Sequence, residues 1–165
     1  MTDMGTAAHY WDASALVKLV APDADDAPGR TTVRDYFFAH GHHYSTSACI
    51  AEALSVLKRK WLRGLLSQDQ YVFAVREFYR LVVSGLSVDD VPVSVQLLDA
   101  AEGLMRQHDI DFIDSVQVVT VLHGRYSVFI GDSRSLFITA DRTLAKAARE
   151  EGARVWECSS EPSYT

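Results

Sequence analysis

The sequence predicts an α/β fold in which a mainly parallel sheet is covered by helices. Three features carry this. Short apolar runs alternate with helical runs, from "AHYWD" near the start to "ARVWEC" near the end, the pattern of strand–helix–strand units. The segment "DFIDSVQVVTVLH" is apolar nearly all round at helical spacing, so it calls for cover on several sides. "SLFITA", followed at once by "DRTLAKAARE", reads as a buried strand feeding a capped helix.

In chain order, residues 8–12 form a short buried strand and 14–20 a helix. "PDADDAPG" is a loop, because two prolines, a glycine and three aspartates break any period. "RTTVRDYFFAH" is a helix with Val33, Tyr36 and Phe37 near one face. "HYSTS" is a short strand ending in a cap. A helix from Ala48 to Arg63 follows, with Ile50, Leu54, Leu57 and Trp61 at helical spacing, and another spans about 68–84. In the latter, Tyr71, Phe73, Phe78 and Tyr79 point to more than one side; either all serve the core, the better reading, or one side faces the core and the other a partner or second subunit. "LSVDDVPV" is a strand passing into a Pro-initiated helix over about 93–107. The 111–123 helix, a strand at "SLFITA", a helix from Asp141 to Glu150 and a last strand at "ARVWEC" complete the chain. "GRYSVFIGDSR", residues 124–134, reads either as a hairpin or as an extension of the helix before it.

A length of 165 residues suits one domain over 1–165 with one core. No apolar run is long enough to span a bilayer. The leader "MTDMGTAAHYW" has neither a basic start nor a long apolar region, so no secretory signal is expected. Cys49 and Cys158 are the two cysteines and form no C-x-x-C pair, which suits a reducing, cytoplasmic compartment. The net charge of −6 argues against a general nucleic-acid coat protein, but a cluster of metal-binding carboxylates would itself add negative charge.

Open parallel sheets bind ligands beyond the carboxyl ends of their strands. Asp12 stands at such an end inside an apolar run, and Asp141 directly follows "SLFITA". Glu52 lies in the first turns of the helix after "HYSTS", and Asp114 in the first turn of the 111–123 helix, both expected to begin on the same edge. Two helices in succession separate "LSVDD" from "SLFITA", so one of them lies across the sheet. Four acids gathered there would repel one another. Hard divalent cations, Mg²⁺ or Mn²⁺, resolve this with oxygen ligands, and such a metal can activate water against a phosphodiester. Each acid also has a plainer role open to it: Asp141 as an N-cap, Asp114 as a complement to the helix dipole, Glu52 as a solvated helix acid. Ser14 and Thr139 flank the edge as accessory hydroxyls.

The segments "YWDASALVKLV", "TSACIAEALSVLKRKW", "DFIDSVQVVTVL" and "LFITADRTLAKAAREEGARV" occur in the order found in PIN-domain nucleases. Over about residues 8–158 the chain resembles the VapC-type toxins of type II toxin–antitoxin pairs. D-x-S-A-L-V-K at the start and T-A-D-x-x-L-x-x-A-A-x-x-x-G near the end are the most telling motifs. The resemblance implies a PIN-like three-layer α/β/α sandwich. It implies Asp12, Glu52, Asp114 and Asp141 as catalytic acids binding Mg²⁺ or Mn²⁺, an RNA substrate, an antitoxin partner and a homodimer. In the third motif "DSVQVVTV" replaces Asp-Ala and small residues, which suggests tighter or shifted packing and keeps Asp111 in view as the third acid. The 124–134 segment is longer than the pattern, and its Asp132 is either an accessory acid or plain loop.

An RNA substrate needs cations near the acids. Lys18, Arg59 and Arg142 are candidates, and "KRKWLR" near residue 60 either binds RNA or solubilises a helix end. "HGHH", residues 40–43, matches no zinc spacing and reads as a surface turn. Two other functions fit the same sheet. A Mg²⁺-dependent phosphatase or phosphotransferase would commonly carry a second aspartate where Ser14 stands. A non-catalytic binding domain would not need all four acids.

Overall fold

The protein was analysed as a computed structural model that describes residues 8–22, 29–125 and 135–164. Its elements are β1 (His9–Trp11), α1 (Ala13–Val20), α2 (Arg30–Ala39), β2 (His43–Thr46), α3 (Ser47–Leu62), α4 (Gln68–Gly85), β3 (Leu86–Asp89), α5 (Val95–Gln107), α6 (Phe112–His123), β4 (Leu136–Thr139), α7 (Arg142–Glu150) and β5 (Val155–Glu157). The five strands form one sheet in the order β3-β2-β1-β4-β5, and every neighbouring pair is parallel. Parallel neighbours need a covering crossover between them, and the helices supply it.

Successive strand residues face opposite sides, and the two cores show it. Trp11, Leu136, Ile138 and Trp156 join α1–α4 residues such as Leu16, Val33, Leu57 and Phe78 in one buried cluster. Tyr10, Phe137 and Val155 join Leu104 of α5, Val118 and Val121 of α6, and Leu144 of α7 in the other. The result is helix layer, sheet, helix layer. It also shows how the chain travels from edge strand β3 to β4, on the far side of β1. Both α5 and α6 lie on the second face, packed on each other, so the pair together makes the crossing.

Several local expectations shift. Thr46 caps α3 by accepting from the Cys49 amide at 3.1 Å. Cys49, Ala53 and Leu57 face the core fully, with Ile50, Leu54 and Trp61 on the flanks. The helix is rotated by one position because its small residues meet α1, which packs against it. α5 starts at Val95 under a Ser94 cap, and Pro92 lies in the approach to it. α6 is less enclosed than its periodicity suggests, since Phe112 and Ile113 in its first turn are 41% and 38% exposed. It ends at His123 with Gly124 as its C-cap, which removes the helical extension. The rest of the 124–134 segment, with Asp132, lies outside the described residues, as do most of "PDADDAPG" and the first seven residues.

The "HGHH" stretch is not a surface turn throughout. His40 and His42 are exposed, but His43 opens β2 and is buried. Its Nδ1 accepts from the Trp11 indole at 3.0 Å, and its Nε2–H donates to the Phe37 carbonyl at 2.8 Å. That pattern demands a neutral ring. Beside it, buried His9 donates from Nδ1 to the Gly41 carbonyl at 2.8 Å. Burial, above all, holds His9 down to about 4 against an ordinary 6.5, and nearby His43, His40 and His42 add to the effect.

Because the unfolded chain takes up a proton near 6.5 that folded His9 refuses until about 4, its contribution to stability is complete above 6.5 and fades as pH falls through that window. Replacing His9→Phe is expected to flatten this acid loss. Urea midpoints of parent and variant at pH 7.5, 6 and 4.5 check it, and parallel pH curves for the two proteins would refute it.

Candidate functional site

Beyond the carboxyl ends of β1 and β4 lies a cavity of about 450 Å³ lined by Asp12, Ser14, Val17, Lys18, Glu52, Val56, Lys60, Asp111, Asp114 and Asp141, with Ala13 and Ala140. All four acids singled out in the sequence line it. Each is placed by a strand end or a helix start. Asp12 follows β1 and caps α1; Asp141 follows β4 by two residues and caps α7, accepting from the Thr143 and Leu144 amides. Glu52 lies in the second turn of α3 and Asp114 in the first turn of α6. Asp111 is the cap of α6, accepting from the Asp114 amide at 2.9 Å. Asp111 therefore shares the pocket while serving a helix end.

Asp12 is 2% exposed. Its Oδ2 accepts from the Ser14 amide at 3.1 Å, the Ser14 hydroxyl at 2.5 Å and the Thr139 hydroxyl at 3.0 Å. Its Oδ1 receives the weak thiol donor of Cys49 at 3.7 Å. The Ser14 and Thr139 oxygens accept in turn from the Ala140 and Asp141 amides, at 2.9 and 3.0 Å. Both accessory hydroxyls thus join the loop after β4 to the carboxylate after β1. The capping role of Asp12 is legible in "DAS".

The electrostatics are those of like charges held close. Burial pushes the Asp12 carboxyl up, while Ser14 and Thr139 donors pull it back. Glu52 is raised by burial, then by Asp12 and Asp111, with Arg59 opposing. Asp114 is pushed up to about 7, by burial first and then by Asp12, Asp111, Glu52 and Asp141. Glu52 Oε2 is buried without a hydrogen-bond partner, an orphaned acceptor that a cation would satisfy. An all-oxygen donor set of this kind suits Mg²⁺ or Mn²⁺. Among the described residues, no three Asp, Glu, His or Cys side chains are drawn together tightly enough to form a ready-made ligand group.

The predicted cations divide. Lys18 lines the cavity. Arg59 is exposed and acts on Glu52 electrostatically, and Arg142 acts on Glu157 at the end of β5; neither lines the cavity. Lys60, within the "KRKWLR" run, does line it. Helical spacing from Glu52, eight residues earlier, was the signal for it. Arg149, in the last turn of α7, is engaged with Glu161 and the Val155 carbonyl.

No protein-family profile matches the chain, and no curated protein is similar to it in sequence. Solved structures are. The PAE2754 protein of Pyrobaculum aerophilum superposes with a TM-score of 0.58 at 19% identity, covering 90% of this chain and 89% of that one. VapC20 of Mycobacterium tuberculosis, a sarcin–ricin loop cleaving toxin, superposes with a TM-score of 0.57 at 16% identity, covering 91% and 98%. At these identities the likeness establishes the fold: this chain has the PIN-like α/β/α architecture.

Asp114 provides a direct test of the crowding. The folded protein takes up its proton below about 7 and the unfolded chain only near 3.8, so the penalty is whole above about 7 and is relieved as pH falls toward 3.8. Asp114→Asn is expected to raise the thermal midpoint at pH 8 by about 3 °C, with a smaller gain at pH 5. Equal gains at both pH values would rule out charge crowding as the cause.

Proposed function

We propose that the chain is a Mg²⁺- or Mn²⁺-dependent endoribonuclease that hydrolyses RNA phosphodiester bonds, the toxin of a toxin–antitoxin pair. The observation that supports this best is the shared pocket of Asp12, Glu52, Asp114 and Asp141, four acids far apart in sequence, with one buried oxygen of Glu52 left unpaired. The fold shared with a sarcin–ricin loop cleaving toxin agrees with it.

In this reading Asp12, Glu52, Asp114 and Asp141 hold the cation. When bound, the cation lowers the pKa of a water and neutralises charge building on the phosphodiester oxygens. Ser14 and Thr139 keep the Asp12 carboxylate in one orientation through Oδ2. Asp114, raised to about 7, would hold a cation only as the carboxylate, so metal affinity is expected to rise with pH across neutrality. Lys18 and Lys60, lining the same cavity, hold substrate phosphates, and Arg59 and Arg142 extend the positive field along the strand. The phosphatase alternative is weaker, because the Ser14 hydroxyl is committed to Asp12 where a second aspartate would be needed.

An antitoxin and a second subunit belong to the same proposal. The chain leaves apolar groups at the surface for them, among them Val93 at 79%, Phe73 at 55% and Tyr79 at 54% exposure. No helix among the described residues is long and apolar enough to cross a membrane.

The test is cleavage of total cellular RNA with Mg²⁺ or Mn²⁺. The parent is expected to give discrete fragments. Asp12→Asn should lower the rate about 100-fold or more, since loss of even an outer-shell partner costs 10–100-fold in such sites, and EDTA should abolish it. Equal cleavage by both proteins would sink the site. RNA binding that survives EDTA, with no cleavage under any metal, would favour the non-catalytic domain.

A further inference from the structure

We infer that Gln117 is a positioning residue: through Thr46 it ties the helix carrying Asp114 to the helix carrying Glu52 and sets the spacing of the two carboxylates. This rests on reading the pocket as a cation site.

Gln117 lies one helical turn after Asp114 and is 2% exposed. A buried amide among Val116, Val118 and Val121 is costly unless it is satisfied. Its Nε2 donates to the Thr46 hydroxyl at 2.5 Å. Thr46, fully buried at the end of β2, uses that same oxygen to accept from the Cys49 amide and so caps α3. From Cys49 the connection continues to Asp12 through the thiol. One buried polar chain therefore links α6, β2, α3 and the end of β1, the elements that bear or abut Asp114, Glu52 and Asp12.

The two large apolar clusters lie on opposite faces of the sheet and share no residue. Cys49, Ala53 and Leu57 seat α3 on one face of the sheet, and Val118 and Val121 seat α6 on the other. Each helix is seated on its own layer, and the two meet through direct contacts around the end of the sheet. The Gln117–Thr46 hydrogen bond is such a contact. If burial alone mattered at position 117, an apolar residue of the same length would serve as well.

The experiment compares the parent with Gln117→Met, which keeps the length and removes the donor, and with Thr46→Ser, which keeps the hydroxyl. Mn²⁺ binding is measured by titration calorimetry, and Mg²⁺-dependent RNA cleavage is resolved into kcat and KM. Gln117→Met is expected to bind Mn²⁺ about tenfold more weakly, with lower kcat, unchanged KM and an unchanged far-ultraviolet spectrum; Thr46→Ser should match the parent. In a Thr46→Val background Gln117→Met should add no further loss. Should the methionine variant not fold, Gln117→Asn, an amide one methylene too short to reach, must show the same weakening. A folded Gln117→Met or Gln117→Asn protein within twofold of the parent in both Mn²⁺ affinity and kcat overturns the inference alone. A parent that binds no Mn²⁺ overturns the proposed cation site and this inference with it.

Discussion

A carboxylate buried at the end of the central strand constrains everything around it. Asp12 sits in the middle of a five-stranded sheet, with β2 on one side and β4 on the other, and an unpaired charge there would be prohibitive. Its donors come from separate elements. Ser14 belongs to the helix that Asp12 itself begins. Thr139 arrives because β4 pairs with β1 in the register that sets Trp11 opposite Ile138. Cys49 comes from α3, which packs on α1. The long crossing by α5 and α6 is thus more than topology, since it delivers the strand whose last residue holds Asp12 in place.

Helix starts and pocket acids are largely the same residues. Asp12, Asp111 and Asp141 each cap a helix and line the cavity. Helix N-termini offer unpaired amides and the positive end of a dipole, so converging helix starts can hold several acids together. The compensation is incomplete. Burial still raises Asp12 despite its capping donors, and burial together with acidic neighbours raises Glu52 and Asp114. Acids held this close cost stability, a common tension at functional positions.

Much of the fold was legible because its signals are local. "HYW", "HYST" and "LFIT" read as strands and the helical runs kept their period, because alternation and capping act within a few residues. The misreadings arose where a distant partner decided. α3 turned its small residues inward because α1 lies against it. The start of α5 is the one local exception: Val95 opens it because the Ser94 hydroxyl accepts the Leu97 amide and so satisfies an orphaned donor that Pro92 cannot. His43 was drawn into the core because the Trp11 indole and the Phe37 carbonyl meet its two nitrogens.

The sequence by itself determined the order and kind of the elements, the strand-end position of Asp12, and the four acids that share the edge. The tertiary structure alone decided how those acids are held and how strongly they interact. Ser14 and Thr139 converge on one oxygen of Asp12, Lys60 reaches the cavity that Arg59 and Arg142 do not line, and Gln117 finds Thr46 across the end of the sheet. The reason is physical. A residue's period and capping role are set by its near neighbours in the chain. Burial, hydrogen bonding and charge are sums over whatever the fold brings within a few ångströms, and here that neighbourhood spans residues 12 to 141.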